Sequence, residues 1–290
     1  MNKLCNICPR QCNALRGPEI NLGGFCKMPQ NAKIARADLH FYEEPCISGK
    51  NGSGTIFFSG CNLRCCYCQN FEISHLNKGK VISFEQLANI MKELEQKGAN
   101  NINFVNPSHY LTAIHNALRI YKPKIPLVYN SSGYDILTQS ELNTFDVFLF
   151  DLKYITPEVS FKYSGAKNYF EYASKAIKKA YSVKENTFNK HGLMQSGVII
   201  RHLVLPMNTK ESLKVIDWVE QNAKEAYLSI MAQYVPCGDA FKFPEINRKI
   251  TVREDNKVVD YALSKNLQNV YIQSLKSATQ DYIPNFDFNN

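Results

Sequence analysis

The chain has one tryptophan in 290 residues, no internal repeat, no low-complexity stretch and no run near the ~20 apolar residues that a spanning helix needs. It therefore offers no candidate membrane span, and no membrane partner is expected. The start, Met-Asn-Lys-Leu-Cys-Asn, lacks an apolar signal core, so the expected location is the reducing cytoplasm. No basic block stands out among the scattered lysines. A net charge of +8 thus permits nucleic acid or an acidic protein partner without selecting either. An RNA-binding module and aromatic–basic interleaving are also missing, so nucleic acid is not the expected partner.

What the chain does have is cysteine, ten in all. Four fall within Gly60–Asn70, as Gly-Cys-Asn-Leu-Arg-Cys-Cys-Tyr-Cys-Gln-Asn. Neighbours such as Cys65 and Cys66 do not easily reach disulfide geometry, and in a reducing compartment clustered thiols point to metal or catalysis. The length suits one large domain, or one domain with a small appendage. Residues 1–50 begin with a Cys-, Pro-, Gly- and Asn-rich segment of little periodicity, expected to bind metal in place of a core. Residues 51–290 form the expected main domain.

From residue 54 onward, strand and helix alternate. Thr55–Ser59, Asn101–Val105, Ile125–Tyr129, Asp146–Phe150, Gly197–Leu205 and Tyr227–Tyr234 read as strands, with a short last one at Val270–Gln273. Helices are expected from Ser83 to Gln96, opened by a Ser83/Gln86 capping box, and over 110–121, 169–184, 211–224 and 252–265. Six βα repeats predict an α/β fold with a parallel sheet, doubly wound or curved as a barrel. Six strands are too few for a closed eight-stranded barrel. In either form the chemistry lies beyond the carboxyl ends of the strands. The cysteine cluster, Asn106–His109, Asn130–Gly133 and Asp151–Lys153 each follow a strand directly.

Cys61, Cys65 and Cys68 have the spacing C-x3-C-x2-C. Three thiolates on one loop can hold a soft metal or a cubane cluster, leaving one iron open to another ligand. Cys66 falls outside that pattern and reads as a small hydrophobe. Cys5, Cys8, Cys12 and Cys26, spaced C-x2-C-x3-C-x13-C, suit zinc or a second iron–sulfur cluster. Asp151 could equally cap a helix, Lys153 could be solvated, and His202, alternating with strand residues, could be a satisfied core histidine.

Cys61-x3-Cys65-x2-Cys68, with Tyr67 before the last cysteine, resembles the motif of the radical S-adenosylmethionine (SAM) superfamily. The resemblance covers about residues 52 to 275. Phe58-Ser-Gly-Cys-Asn-Leu-Arg-Cys65, Asp151-Leu-Lys153 and Arg201-His-Leu-Val-Leu-Pro206 are most similar to the glycyl-radical-enzyme activating group of the pyruvate formate-lyase type. Cys5-x2-Cys8-Pro-Arg-Gln-Cys12 resembles an uncharacterised branch of it.

The resemblance implies a partial (β/α)6 TIM-like barrel and a [4Fe-4S] cluster on Cys61, Cys65 and Cys68. It implies reductive cleavage of SAM to a 5′-deoxyadenosyl radical that abstracts hydrogen, in some members from a glycine of a partner protein. Reduced flavodoxin or ferredoxin would supply the electron. It further implies SAM contacts from Tyr67, Asn106, Ser108, Asn130, Ser131, Asp151, Lys153 and His202. Asn106–His109 replaces the Gly-Gly-Glu stretch common in the family. Asn130, Ser131 and Asp151 match positions beside a monovalent cation. Two other readings compete: a zinc-binding interaction protein with structural cysteines only, and an RNA-modifying radical SAM enzyme.

Overall fold

Successive residues of a strand point to opposite faces, so each strand here is read twice. Phe104, Tyr129, Phe148, Phe150, Val198 and Ile200 face the helices and belong to the main apolar core. Their neighbours Val128, Val147, Leu149 and Ile199 belong to a second, smaller cluster with Cys46 and Ile47. An apolar layer on each face is the pattern of a parallel sheet covered on both sides.

The computed structural model describes residues 4–275, Ala278 and Phe286. The rest of the tail of the expected main domain lies outside the described residues. β1 (Leu4–Cys5), β2 (Ala14–Arg16) and β3 (Asn21–Leu22) form a small antiparallel sheet that carries the N-terminal cysteines. The large sheet contains β4 (Lys33–His40), β5 (Ser53–Phe58), β6 (Lys80–Val81), β7 (Ile102–Val105), β8 (Leu127–Ser131) and β9 (Val147–Asp151). It continues with β10 (Thr187–Phe188), β11 (Met194–Leu203), β12 (Tyr227–Met231) and β13 (Val270–Ile272). Its spatial order is β13-β12-β11-β9-β8-β7-β5-β4-β6, with β10 paired to β11. Along this order every pairing from β5 to β13 is parallel; β10 pairs with β11 antiparallel, and β4 and β6 add an antiparallel edge. The sheet does not close, as a partial barrel requires. Val270–Ile272 does form a strand, so seven parallel strands build the wall.

The connecting helices are α1 (Pro45–Ser48), α2 (Phe71–Ser74), α3 (Phe84–Gln96), α4 (Leu111–Ile120), α5 (Gln139–Thr144) and α6 (Pro157–Ser164). After them come α7 (Tyr169–Tyr181), α8 (Thr209–Asn222) and α9 (Val252–Leu263). The Ser83/Gln86 capping box opens α3 as its sequence requires. Among the described residues no helix is long and apolar enough to cross a membrane.

Two segments differ from the sequence expectation. β4 pairs with β5 in antiparallel register, Ile34 opposite Phe58 and His40 opposite Ser53. Residues 33–48 thus belong to the barrel, and the boundary expected at residue 50 falls inside it. Because β4 runs backwards, it delivers Glu43, Glu44 and α1 to the amino-terminal ends of the strands. There the Ile47 carbonyl accepts from Asn101 Nδ2 at 2.8 Å and the Ser48 carbonyl from Asn100 Nδ2 at 2.6 Å. α1 is a plug at the base of the barrel, and the cysteine loop leaves β5 at the opposite end.

Candidate active site

Cys61, Cys65 and Cys68 line one cavity of about 240 Å³ inside the barrel. Each sulfur meets at least one hydrogen-bond donor. The Leu63 and Arg64 amides donate to Cys61 at 3.3 and 3.4 Å, the Ser164 hydroxyl to Cys65 at 3.1 Å, and the Ser74 hydroxyl to Cys68 at 3.2 Å. Such donors stabilise thiolate charge. Burial pushes the Cys68 thiol up to about 12 and raises Cys61, so a metal must displace protons to bind there. The loop turns at Arg64, which takes a positive φ of 55°. Gly60 also has positive φ, and a Cβ there would lie 2.2 Å from Met28 Cγ, so only glycine lets the N-terminal module pack under the loop.

Tyr67, Asn106, Asn130, Ser131, Asp151 and Lys153 line the same cavity. Ser108 and His202 do not. The Ser108 hydroxyl donates to the buried Asp135 carboxylate. His202 points outward to α8, with Nδ1 at 2.8 Å from the Leu152 carbonyl and Nε2 at 2.9 Å from the Ser212 hydroxyl. Burial lowers its pKa to about 4, so the ring is neutral and satisfied. Cys66 is partly exposed and faces away from the cavity, as does the buried Cys46 in α1.

The polar wall is a single ion network that sequence reading found only in part. Arg201 Nε donates to Asp151 Oδ1 at 2.7 Å, Nη1 to Glu43 Oε2 at 2.9 Å, and Nη2 to Asn130 Oδ1 at 2.6 Å. Lys153 Nζ donates to Asp151 Oδ2 at 2.8 Å. Burial raises the Asp151 carboxyl, but Arg201 and Lys153 outweigh it and hold the group below its ordinary value. Both carboxylate oxygens are engaged, so two side chains supply the positive charge that a monovalent cation would bring. Asn130 Nδ2 donates to Glu43 Oε1 at 3.1 Å, and Ser131 donates to Asp135 at 2.5 Å. Asn106 Nδ2 donates to the Gly60 carbonyl at 2.5 Å, and the Tyr67 hydroxyl meets that of Tyr154 at 2.6 Å. Glu43, Glu44 and Arg201 were missed. Their one sequence signal is a charged residue beside apolar strand neighbours or a proline turn, which many surface residues share.

Arg10, two residues after the expected metal ligand Cys8, reaches into the cysteine loop. Its guanidinium donates to the carbonyls of Asn62 at 2.8 Å, Leu63 at 3.2 Å, Ser164 at 2.9 Å and Gly165 at 2.7 Å, and stacks over Phe25. Cys5, Cys8 and Cys26 are buried and Cys12 is partly so. Arg16 Nη1 lies 3.7 Å from Cys5 Sγ. Among the described residues, no three Cys, His, Asp or Glu side chains close round a single metal ion. Cys61, Cys65 and Cys68, three thiols on one cavity wall, would suit a cubane cluster. The donor set fits: three thiols, each with a hydrogen-bond donor, and no fourth cysteine on the cavity wall.

The radical SAM superfamily model matches residues 55–219, from the first parallel strand to the end of the fifth βα unit. The chain belongs to the radical SAM superfamily. It is 32% identical, over 93% of its length and 77% of the relative's, to a protein of Methanocaldococcus jannaschii known as "Uncharacterized protein MJ0674". Two crystal structures of Streptococcus suis SuiB, one bound to S-adenosylmethionine, share the fold, each with a TM-score of 0.54 at 14% identity. They cover 76% and 78% of this chain, which spans about half their length. Membership in the radical SAM superfamily makes the protein an enzyme of SAM-dependent radical chemistry, with a [4Fe-4S] cluster and SAM as cofactors.

Proposed function

We propose that this radical SAM enzyme abstracts hydrogen from a substrate held in the barrel cavity, and that the substrate is a glycine of a partner protein, as in the activating enzymes of glycyl-radical proteins. One observation carries the placement of the chemistry: Cys61, Cys65 and Cys68 face the cavity that Asp151, Lys153 and Arg201 also line. When bound, the cluster and SAM supply a reducing electron and a 5′-deoxyadenosyl radical.

The chain's own residues bind, orient and exclude water. Cys61, Cys65 and Cys68 would hold the cluster, with no fourth cysteine on the cavity wall. Lys153, fixed by Asp151, would offer its remaining N–H donors to the SAM carboxylate, and Asn106 would offer its Oδ1 to the amino group. Asn130 and Ser131 set the wall between them through Arg201 and Asp135. Tyr67 closes the apolar side. The stretches Phe58–Cys65, Asp151–Lys153 and Arg201–Pro206 support the glycine reading. A reduced flavodoxin or ferredoxin is the electron donor in this reading.

Isotope transfer tests it. Lysate from cells grown on α-deuterated glycine is mixed with reduced holoenzyme and SAM. Deuterium should appear in 5′-deoxyadenosine from the macromolecular fraction. Transfer from the dialysable fraction alone would replace the partner protein with a small molecule.

A further inference from the structure

Buried polar atoms in folded proteins nearly always have hydrogen-bond partners, and leaving one without is costly. Among the described residues three acceptors on the wall of this cavity have none: Asn70 Oδ1 beside the cysteine loop, and two away from it. Glu44 is 5% exposed, yet its Oε2 meets no donor among the described residues. Gln273 Oε1, at the end of β13, is likewise buried and unpartnered. Both residues line the cavity that holds the three cysteines. Each has a fixed backbone: the Glu44 carbonyl accepts from the amides of Ile47 at 2.8 Å and Ser48 at 3.0 Å, and the Gln273 amide donates to Ile230 at 3.1 Å.

The cation nearest in kind is already committed. All three Arg201 nitrogens serve Asp151, Glu43 and Asn130. Glu43 shows the contrast: its oxygens accept from Arg201, Asn103 and Asn130, whereas Glu44, one residue on, keeps an open oxygen. The Ser229 hydroxyl sits beside Glu44 but out of full hydrogen-bond geometry. An amide oxygen can only accept, so the missing group must donate, and beside a carboxylate a positive donor is favoured. Glu44 enters from the plug at the base, whereas the cysteines stand at the carboxyl end of β5.

We propose that Glu44 and Gln273 form the recognition end of the reaction chamber, where the substrate presents a primary ammonium or a guanidinium. This rests on the reading of the cavity as the site of the radical reaction. Such a group would lie between the plug that carries Glu44 and the carboxyl end of β13 that carries Gln273, with the reacting carbon toward the cysteine loop. A small amine meets the requirement, and so does a peptide with lysine or arginine close to the reacting residue.

The test is calorimetric titration of cluster-loaded, SAM-bound protein with n-butylammonium, n-butylguanidinium and neutral n-butanol. At least one of the cations should bind about tenfold or more tightly than the alcohol. Glu44→Gln should erase that preference, and Gln273→Leu, on a less buried side chain, should weaken it several-fold. Equal binding of all three probes by the unmodified protein would overturn the proposal, as would a preference that survives both substitutions. A Glu44→Gln protein that lost SAM affinity in step with the probes would also overturn it, assigning the acceptors to SAM. Probe binding is read without turnover, so its failure is a separate result from any failure to cleave SAM.

Discussion

Arg201 and Asp151 sit opposite each other on adjacent parallel strands, and the guanidinium Nε meets the carboxylate at 2.7 Å. The pair is largely buried, with side-chain exposures of 14% and 19%, and Glu43 and Lys153 complete it. Removing one partner of such a pair leaves charge buried without compensation. Arg201→Met leaves Glu43 without a cation and Asp151 with Lys153 alone, and is expected to cost about 3–5 kcal/mol. Urea unfolding measures it, and a loss below about 1 kcal/mol would show that the network is wetter than this geometry allows.

Lys153→Ala should behave differently. Asp151 keeps Arg201, so the loss of stability is the smaller of the two. What disappears is a charge-assisted donor to SAM, worth about 1.5–3 kcal/mol, or roughly ten- to hundredfold in affinity. SAM affinity and melting temperature, with cluster content as the control, check this. Unchanged affinity with a large drop in melting temperature would make Lys153 a structural partner of Asp151 only.

The N-terminal module should keep its own metal. Cys5, Cys8, Cys12 and Cys26 lie in a segment with short strands and little core, where a bound metal would substitute for packing. Protein with Cys61, Cys65 and Cys68 all replaced by Ala is expected to retain zinc or iron. A folded but metal-free protein would contradict this. Arg10→Ala, which removes the clamp on Asn62 and Gly165, should speed proteolysis of the first thirty residues or so before it affects the barrel.

His202 sets an acid limit on stability. Its folded pKa of about 4 lies below the ordinary 6.5, so the unfolded chain binds the extra proton more readily. The stabilisation from the neutral ring is complete above pH 6.5 and is lost as pH falls toward 4, by up to about 3 kcal/mol. The buried His109, lowered to about 3, acts in the same sense. Denaturant titrations from pH 7 to 4 should show stability falling, and falling less in His202→Gln. An equal slope in both proteins would place the acid sensitivity elsewhere.

Much of this fold was legible because apolar runs, capping residues and turns are local signals. The alternation that placed six strands and the C-x3-C-x2-C spacing that marked the cysteine loop both lie within short windows. Lys33–His40 was not legible, because an edge strand with one half-solvated face carries four charged or imidazole side chains among its eight residues. Alternation also leaves open which face is the interior. Arg201 and His202 are neighbours on β11, and a one-residue difference sends Arg201 to the cavity and His202 to α8. Ser108 was misplaced for a related reason, since its partner Asp135 lies on the next connection, 27 residues on. The network that engages Asp151 spans Glu43 to Arg201, a separation that no local pattern encodes.

The central claim is that Cys61, Cys65 and Cys68 hold the cluster that cleaves SAM. The direct measurement is the yield of 5′-deoxyadenosine and methionine from anaerobically reconstituted, dithionite-reduced protein. The unmodified protein should release both. Replacing Cys61, Cys65 or Cys68 by Ala should abolish release, and Cys66→Ala should keep most of it. Release of 5′-deoxyadenosine by the protein lacking all three cysteines would contradict the account.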